Sequence, residues 1–233
     1  MANKYFRRQL SAVLVIIVSL VAVWAAQLTA PQGLGLLTQA TQQQLFGDST
    51  ALAELEKIEV KGRAPKTGYS RKQFGDGWGK IDNCSVREVI LARDLTDKQI
   101  DEKCRVQSGV LDDPYTAKSI KFQRGEKSSQ AVQIDHVVAL SDAWQKGAQQ
   151  LNVEQRKQFA NDPLNLLAVD GPANQAKGDG DAATWLPENK SFRCQYVARQ
   201  VAIKRKYNLW MTEAEKSVIS DLLKVCDVKA NSK

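Results

Sequence analysis

The chain has 233 residues, of which 43% are hydrophobic and 25% are charged, and it carries a formal net charge of +7. This balance is typical of an ordinary globular protein and excludes a chain too polar to form a hydrophobic core. Residues 1–30 hold three cations and no acid, so residues 31–233 retain 30 Lys and Arg against 26 Asp and Glu, a net charge of +4. Such an excess suits a polyanionic partner, but an ordinary basic surface explains it equally well.

The N-terminus has the pattern of an export signal, in which a basic stretch precedes an apolar run. Met1–Gln9 is basic, and Leu10–Ala26 contains 17 uncharged, mostly apolar residues. That length is near the lower limit for crossing a hydrocarbon core of ~30 Å. Residues 1–30 are therefore predicted to be either a cleaved signal peptide or a retained membrane anchor. Because the positive flank stays inside, residues 31–233 are predicted to be secreted or held at the outer face of the cytoplasmic membrane.

The remaining chain is predicted to consist of a linker, residues 31–50, and one domain, residues 51–233. Residues 62–79 are glycine-rich and predicted to be a loop with a strand or two. The other predicted elements are an amphipathic segment Leu52–Val60, strands Val86–Ala92, Ser119–Phe122, Ala131–Val138 and Leu164–Val169, helices Thr96–Cys104, Leu140–Leu151, Val153–Phe159, Glu188–Lys206 and Thr212–Val225, and a short helix from Pro172. The fold class predicted from this order is α+β.

The four cysteines, Cys84, Cys104, Cys194 and Cys226, are widely spaced and even in number. In an exported chain this pattern predicts two disulfides rather than a zinc site. Of the three possible connectivities, the spacing favours Cys84–Cys104 and Cys194–Cys226, because each pair joins segments that are neighbours in sequence.

The chain has a single histidine, which constrains any acid–base mechanism. A lone histidine is more often structural than catalytic. Here, however, Asp135 and His136 end one predicted strand, Asn165 lies in the next, and Asn174 and Lys177 follow in the short helix. The first predicted strand thus carries Asp-His, the second carries Asn, and the helix that follows carries Asn-x-x-Lys.

This order resembles the HNH, or ββα-metal, nucleases, and it is carried by the segments IDHVVAL (134–140), NDPLNLLAVD (161–170) and GPANQAKGDGDAATWLP (171–187). With GRAPKTGYSR (62–71) and ILARDL (90–95), the resemblance extends over about residues 52–226. It points to exported bacterial HNH proteins related to the C-terminal nuclease domain of modification-dependent restriction enzymes. The implied fold is a ββα-metal core with added strands and helices, held by two disulfides.

The resemblance and the chemistry of phosphodiester hydrolysis together imply roles for these residues. His136 is expected to be the general base, and Asp135 and Asn174 to bind one Mg²⁺ or Mn²⁺. Asn165 is expected to orient the histidine, and Lys177 to hold the scissile phosphate. One difficulty is that adjacent residues of a regular strand face opposite sides, so the strand must end or twist for Asp135 and His136 to reach one metal.

The expected substrate is DNA in preference to RNA, cut with little sequence preference, because no zinc finger or helix-turn-helix is visible. Backbone contacts are expected from Arg87 and from a basic C-terminal helix with Arg199, Lys204 and Arg205, although such cations are also common on solvated surfaces. The main alternative is a catalytically inactive, exported, disulfide-stapled module that binds nucleic acid. A zinc-dependent hydrolase is disfavoured by the single histidine.

Overall fold

The computed structural model describes residues 39–125 and 130–230, and the α+β class predicted from the sequence is confirmed. The helices in these ranges are α1 (Gln39–Phe46), α2 (Ala51–Glu56), α3 (Val86–Asp94), α4 (Leu140–Gln145), α5 (Val153–Asn161), α6 (Gly171–Lys177), α7 (Arg193–Lys206) and α8 (Glu213–Ala230). The strands are β1 (Lys80–Ile81), β2 (Cys84–Ser85), β3 (Leu95–Ile100), β4 (Val106–Asp112), β5 (Ser119–Gln123), β6 (Val132–His136) and β7 (Leu166–Asp170). They form three antiparallel sheets, β1–β2, β3–β4–β5 and β6–β7.

The antiparallel ribbon of β6 and β7 contains Asp135 and His136, two of the residues on which the sequence prediction rested. Asp135 pairs with Leu167, and His136 pairs with Leu166. The regular register therefore continues to the last residue of β6, and adjacent side chains alternate between the two faces of the ribbon.

Helix α6 follows β7 directly and packs against both strands of the ribbon. Asp170 is its N-cap, and its carboxylate accepts a hydrogen bond from the Ala173 backbone N–H at 2.8 Å. Position 171 requires glycine, because a Cβ there would lie 2.1 Å from the Gln130 carbonyl oxygen. This close approach brings the start of α6 against the start of β6, and the chain order is strand, strand, helix.

The predicted strand Val86–Ala92 is instead part of helix α3. Val86 and Ile90 are buried four residues apart, which is the spacing of one helix face, although their β-branched side chains had suggested a strand. Glu88 is also buried, and its carboxylate accepts a hydrogen bond from the Val106 backbone N–H at 2.8 Å.

The predicted helix Thr96–Cys104 is also wrong, since Leu95–Ile100 forms strand β3. Its residues after Leu95 are exposed, and they pair with β4 on one side only. The register shifts between Thr96 and Gln99, where Asp97 has a positive φ of 46°. Pairing with β4 thus overrode the helix preference of a polar segment, and the irregularity marks a β-bulge.

The C-terminal half is built around helix α7, which contacts α1, α2 and α8. Charged side chains are also buried in this part of the protein. The Lys146 ammonium lies 2.6 to 2.7 Å from carboxylate oxygens of Asp142, Asp181 and Glu215. These four side chains are at most 3% exposed. The helices are therefore joined by a buried ion-pair cluster as well as by apolar packing.

Both disulfides are present in the favoured connectivity. Cys84–Cys104 joins β2 to the turn between β3 and β4, and Cys194–Cys226 joins α7 to α8. None of the four cysteines is free.

The predicted export segment, residues 1–30, lies outside the described residues. Of the predicted linker, residues 31–50, the described part is helical at Gln39–Phe46, which is α1, and packs against the core through Leu45 and Phe46. Within residues 39–125 and 130–230, no helix has the length and apolar character that crossing a membrane requires.

Candidate active site

His136 ends β6 and is 7% exposed. Its Nε2 lies 2.8 Å from the backbone carbonyl oxygen of Ala160, at the end of α5. A carbonyl oxygen only accepts hydrogen bonds, so Nε2 must carry the proton in the neutral ring. Nδ1 then holds the free lone pair, which is the atom that can accept a proton.

His136 lines a cavity of about 330 Å³, which we call the histidine cavity. Its other walls are Arg71, Lys72, Phe74, residues 75–78, Leu140 and Ala160. The space is large enough for several water molecules or one phosphodiester group. His136 therefore lies beside a space that a small ligand can enter.

Trp78 stacks on His136, with ring centroids 5.8 Å apart and planes 8° from parallel. Burial is the main cause that lowers the pKa of His136 from 6.5 to about 4, and it is opposed by the hydrogen bond to Ala160. The positive charges of Arg71 and Lys177 lower this pKa further. The imidazole is consequently neutral at physiological pH and can act as a base.

Asn165 is fully buried and holds the backbone that follows His136. Its Oδ1 accepts a hydrogen bond from the Val138 N–H at 2.9 Å, and its Nδ2 donates to the Val138 carbonyl at 3.3 Å. The Asn165 backbone carbonyl also accepts from the Val137 N–H at 2.8 Å. These three bonds fix the chain one and two residues beyond the histidine.

Two arginines hold the 3₁₀ turn Pro163–Asn165 in place. Arg93 donates to the carbonyls of Pro163 (2.8 Å) and Leu166 (2.7 Å). Arg199 donates to the Leu164 carbonyl at 3.0 Å. The guanidinium of Arg199, which was expected to contact the substrate backbone, is thus bound to the turn that carries Asn165.

Asp135 lies on the opposite face of the ribbon from His136 and is 5% exposed. Its Oδ1 accepts a hydrogen bond from the Lys177 ammonium at 2.9 Å, and its Oδ2 accepts from the Tyr115 hydroxyl at 2.5 Å. Burial, and then the negative charge of Asp135, raises the pKa of Tyr115 well above its ordinary value, so the hydroxyl stays protonated. The carboxylate therefore has a partner on each oxygen.

Lys177 is 3% exposed and also donates to the His136 carbonyl at 2.8 Å. Its ammonium is held inside the protein between β6 and α6. The sequence analysis had expected Lys177 to hold the scissile phosphate. Its ammonium is instead buried and bound to Asp135 and His136.

Asn174 lies one turn before Lys177 on α6, and its Nδ2 donates to the Gln133 Oε1 at 2.9 Å. Gln133 and Asp135 share one face of β6, so Asn174 and Asp135 lie on the same side of the ribbon and His136 on the other.

This arrangement does not fit the expected metal site. A divalent cation at Asp135 would have to displace the Lys177 ammonium, and Mg²⁺ prefers about six oxygen ligands in octahedral geometry. Among the residues that the structure describes, no three His, Cys, Asp or Glu side chains cluster closely enough to hold a metal ion.

The other expected substrate contacts are also paired within the protein. Lys204 is fully buried, with its ammonium 2.7 Å from a Glu215 oxygen. Arg205 pairs with Glu54 at 3.0 Å, and Arg87 lies 3.3 Å from Glu88. The cations of α7 therefore do not form the exposed basic stripe that the sequence suggested.

Arg71 and Trp78 were missed by the sequence analysis, although both border the histidine cavity. Arg71 lies in a segment quoted for the resemblance, and Trp78 lies in the glycine-rich run Gly75-Asp76-Gly77-Trp78-Gly79. Neither residue shows a periodicity or spacing that connects it with His136. The density of glycines was the available signal, because it indicates a loop free to approach another part of the chain.

Comparison with known proteins agrees with the restriction-enzyme part of the resemblance. The family described as "GmrSD restriction endonucleases, C-terminal domain" matches residues 85–222, more than half of the chain. A fungal relative from Arthroderma benhamiae, named "Uncharacterized secreted protein", is 38% identical over 180 residues, which cover 76% of this chain and 85% of the relative. No solved structure matches the chain significantly. The chain belongs to the family of the C-terminal domain of GmrSD restriction endonucleases.

Proposed function

We propose that the chain is an exported endonuclease that hydrolyses phosphodiester bonds of DNA, with His136 as the general base and an HNH-type ββα core. The family consists of restriction endonuclease domains, which favours a nucleic-acid substrate. Export is favoured by the N-terminal pattern, by the two disulfides, and by a relative whose name describes it as secreted.

The observation that carries this proposal is the hydrogen bond from His136 Nε2 to the Ala160 carbonyl. It makes Nδ1 the proton acceptor, and His136 lines a cavity whose walls include two cations, Arg71 and Lys72. The chain order gives independent support: Asp135 and His136 end β6, Asn165 directly precedes β7, and Asn174 lies on α6.

The reaction would proceed by attack of water on phosphorus. His136 Nδ1 takes a proton from the water as its oxygen bonds to phosphorus, and the bond from phosphorus to the leaving oxygen breaks. The leaving oxygen takes a proton from solvent, and the imidazolium returns its proton to solvent. The net change is hydrolysis of one phosphodiester to a phosphomonoester and an alcohol.

Asn165 contributes by positioning. Its hydrogen bonds to residues 137 and 138 hold the chain beyond His136, so the imidazole does not need to be oriented during the reaction. The Trp78 ring lies parallel to the imidazole, with the two centroids 5.8 Å apart.

The requirement for Mg²⁺ or Mn²⁺ that the resemblance implies stays a prediction. Asp135 and Asn174 do not offer a suitable donor set as arranged, so no step is assigned to a metal. Cleavage assays with chelator, with Mg²⁺ and with Mn²⁺ measure this requirement directly.

The test is incubation of the purified protein with plasmid DNA beside two variants. His136→Ala removes the base, and His136→Asn keeps a polar amide near Ala160 without a base. Both are expected to lose about 10²- to 10⁴-fold in turnover. A His136→Ala protein that cuts at the wild-type rate would overturn the proposal, because the chain has no second histidine. Binding of DNA without cleavage by the wild type would instead support the inactive binding module.

A further inference from the structure

Arg71 is the first residue of a 3₁₀ helix, Arg71–Phe74, that is anchored at its other end. Phe74 is 2% exposed and contacts the rings of Trp144 and Phe159. The Gln73 carbonyl accepts a hydrogen bond from Arg156 Nε at 2.9 Å. The backbone beneath Arg71 is therefore held in place, while its side chain is exposed and borders the histidine cavity.

Arg71 differs from the other arginines that the structure describes, because it has no hydrogen bond or ion pair to a described residue. The remaining nine each bind a carboxylate or a carbonyl oxygen: Arg63, Arg87, Arg93, Arg105, Arg124, Arg156, Arg193, Arg199 and Arg205. A guanidinium has five N–H donors in a fixed plane. In Arg71 all of them are available to a ligand.

The charges around the cavity favour an anion. Its lining includes the cations of Arg71 and Lys72 and one carboxylate, Asp76. Of the two cations, the guanidinium is the one whose paired N–H groups match two oxygens of a phosphate, whereas an ammonium acts as a point charge.

We infer that Arg71 binds the scissile phosphodiester in the histidine cavity, donating two N–H groups to its non-bridging oxygens while the imidazole of His136 faces the same space. This inference rests on the proposed function. As water adds to phosphorus and the leaving oxygen departs, negative charge grows on those two oxygens, and Arg71 stabilises it. The role that the sequence analysis gave to Lys177 thus passes to Arg71, which lies outside the matched residues 85–222.

The first test measures binding without cleavage. The probe is dimethyl phosphate, a small phosphodiester, added to the full protein while the NMR signals of its only histidine are followed. The variants are Arg71→Gln, Arg71→Lys, and Lys121→Gln as a control for net charge. Lys121 is an exposed residue of β5 that does not line the histidine cavity, and its side chain has no hydrogen bond or ion pair to a described residue.

Dimethyl phosphate is expected to shift the His136 signals in the wild type and in Lys121→Gln. Loss of a charge-assisted hydrogen bond should weaken this binding about 10- to 100-fold in Arg71→Gln. The affinity of Arg71→Lys for dimethyl phosphate should lie between those of the wild type and Arg71→Gln, because lysine keeps the charge and loses the paired N–H geometry. Equal binding by the wild type and Arg71→Gln would overturn the inference.

The second test measures cleavage of DNA by the same proteins. Arg71→Gln should lose about 10²- to 10³-fold in kcat, comparable to removal of one donor that stabilises a transition state. Its melting temperature should be unchanged, because Arg71 has no partner within the described protein. If Arg71→Gln cuts normally while His136→Ala does not, the inference on Arg71 fails and the nuclease stands. If His136→Ala cuts normally, the proposed function fails, and the phosphate titration still decides whether Arg71 binds the anion.

Discussion

Asp135 and His136 are adjacent in the chain, yet their side chains lie on opposite faces of the β6–β7 ribbon. The Asp135 carboxylate is bound by Lys177 and Tyr115, while the His136 ring contacts Ala160 and Trp78. The pairing of His136 with Leu166 shows that the strand stays regular to its end. The two residues therefore act in different environments, one in a buried ion pair and the other at the edge of a cavity.

The tautomer and pKa of His136 can be read directly, because the chain contains one histidine. Nitrogen-15 NMR should show a proton on Nε2 and none on Nδ1. The ring should titrate with a pKa of about 4, so cleavage should be constant near neutral pH and fall as pH drops through that value. A ring that titrates near 6.5 would contradict the burial that lowers its pKa, and a proton on Nδ1 would contradict the hydrogen bond from Nε2 to Ala160.

Trp78 should contribute to this pKa through the burial of His136, because its ring lies parallel to the imidazole with centroids 5.8 Å apart. Trp78→Ala should admit water, reduce the desolvation of the charged form and raise the pKa of His136 from about 4 toward 6.5. Trp78→Phe retains an aromatic ring and should leave the pKa closer to the wild-type value. The single histidine signal reports both variants, and equal pKa values in all three proteins would show that Trp78 does not desolvate the ring.

The same burial predicts how stability depends on pH. The folded pKa of His136, about 4, is below its ordinary value of 6.5, so the unfolded chain binds this proton more tightly. The contribution of the neutral, buried imidazole to the free energy of unfolding is fully present above pH 6.5. As pH falls from 6.5 toward 4, the free energy of unfolding decreases by roughly 3 kcal/mol. Denaturant titrations at several pH values should show this loss in the wild type relative to His136→Asn. Parallel pH curves for the two proteins would contradict a buried, neutral histidine.

The Asp135–Lys177 pair should contribute to stability. Lys177→Met leaves a buried carboxylate without its cation and should lower the free energy of unfolding by about 3–5 kcal/mol. The double variant Asp135→Asn/Lys177→Met removes both charges and should recover part of that loss. Chemical denaturation of the three proteins measures both effects.

A metal titration separates this structural role from the expected metal-binding role of Asp135. If the carboxylate is occupied by Lys177, Mg²⁺ should leave the melting temperature of the wild type unchanged. A rise in melting temperature with Mg²⁺ that is present in the wild type and absent in Asp135→Asn would show that Asp135 is a metal ligand.

Lys204 should behave as an interior residue rather than as a DNA contact. Its ammonium lies 2.7 Å from Glu215 and 3.4 Å from Asp142, so Lys204→Met should lower the free energy of unfolding by about 3–5 kcal/mol. The slope of DNA affinity against salt should not change, because no phosphate contact is lost. Arg205→Gln, on the same helix but partly exposed beside Glu54, should cost at most about 1 kcal/mol. A flatter slope of DNA affinity against salt in Lys204→Met would show that Lys204 contacts DNA.

Local pattern was sufficient for several elements of the fold. The β-type residues of Ala131–Val138 predicted β6, the segment Val153–Phe159 predicted α5, and Pro172 marked the start of α6. Pattern failed at Val86–Asp94 and Leu95–Ile100, where β-branched residues lie on a helix and polar residues lie in a strand. Packing against β4 and the core decided the conformation of these two segments. The sequence of one segment does not show which other segments it will pack against.

The sequence by itself determined the α+β class, the favoured cysteine pairing, the restriction-endonuclease relationship and the importance of one histidine. Only the tertiary structure decided which residues surround that histidine. Trp78 and Arg71 reach it from a glycine-rich loop and a 3₁₀ helix far away in the chain, while its neighbour Asp135 points to the other face. The physical reason is that periodicity specifies which face of an element is buried, whereas the contents of a cavity depend on how separate elements pack against one another.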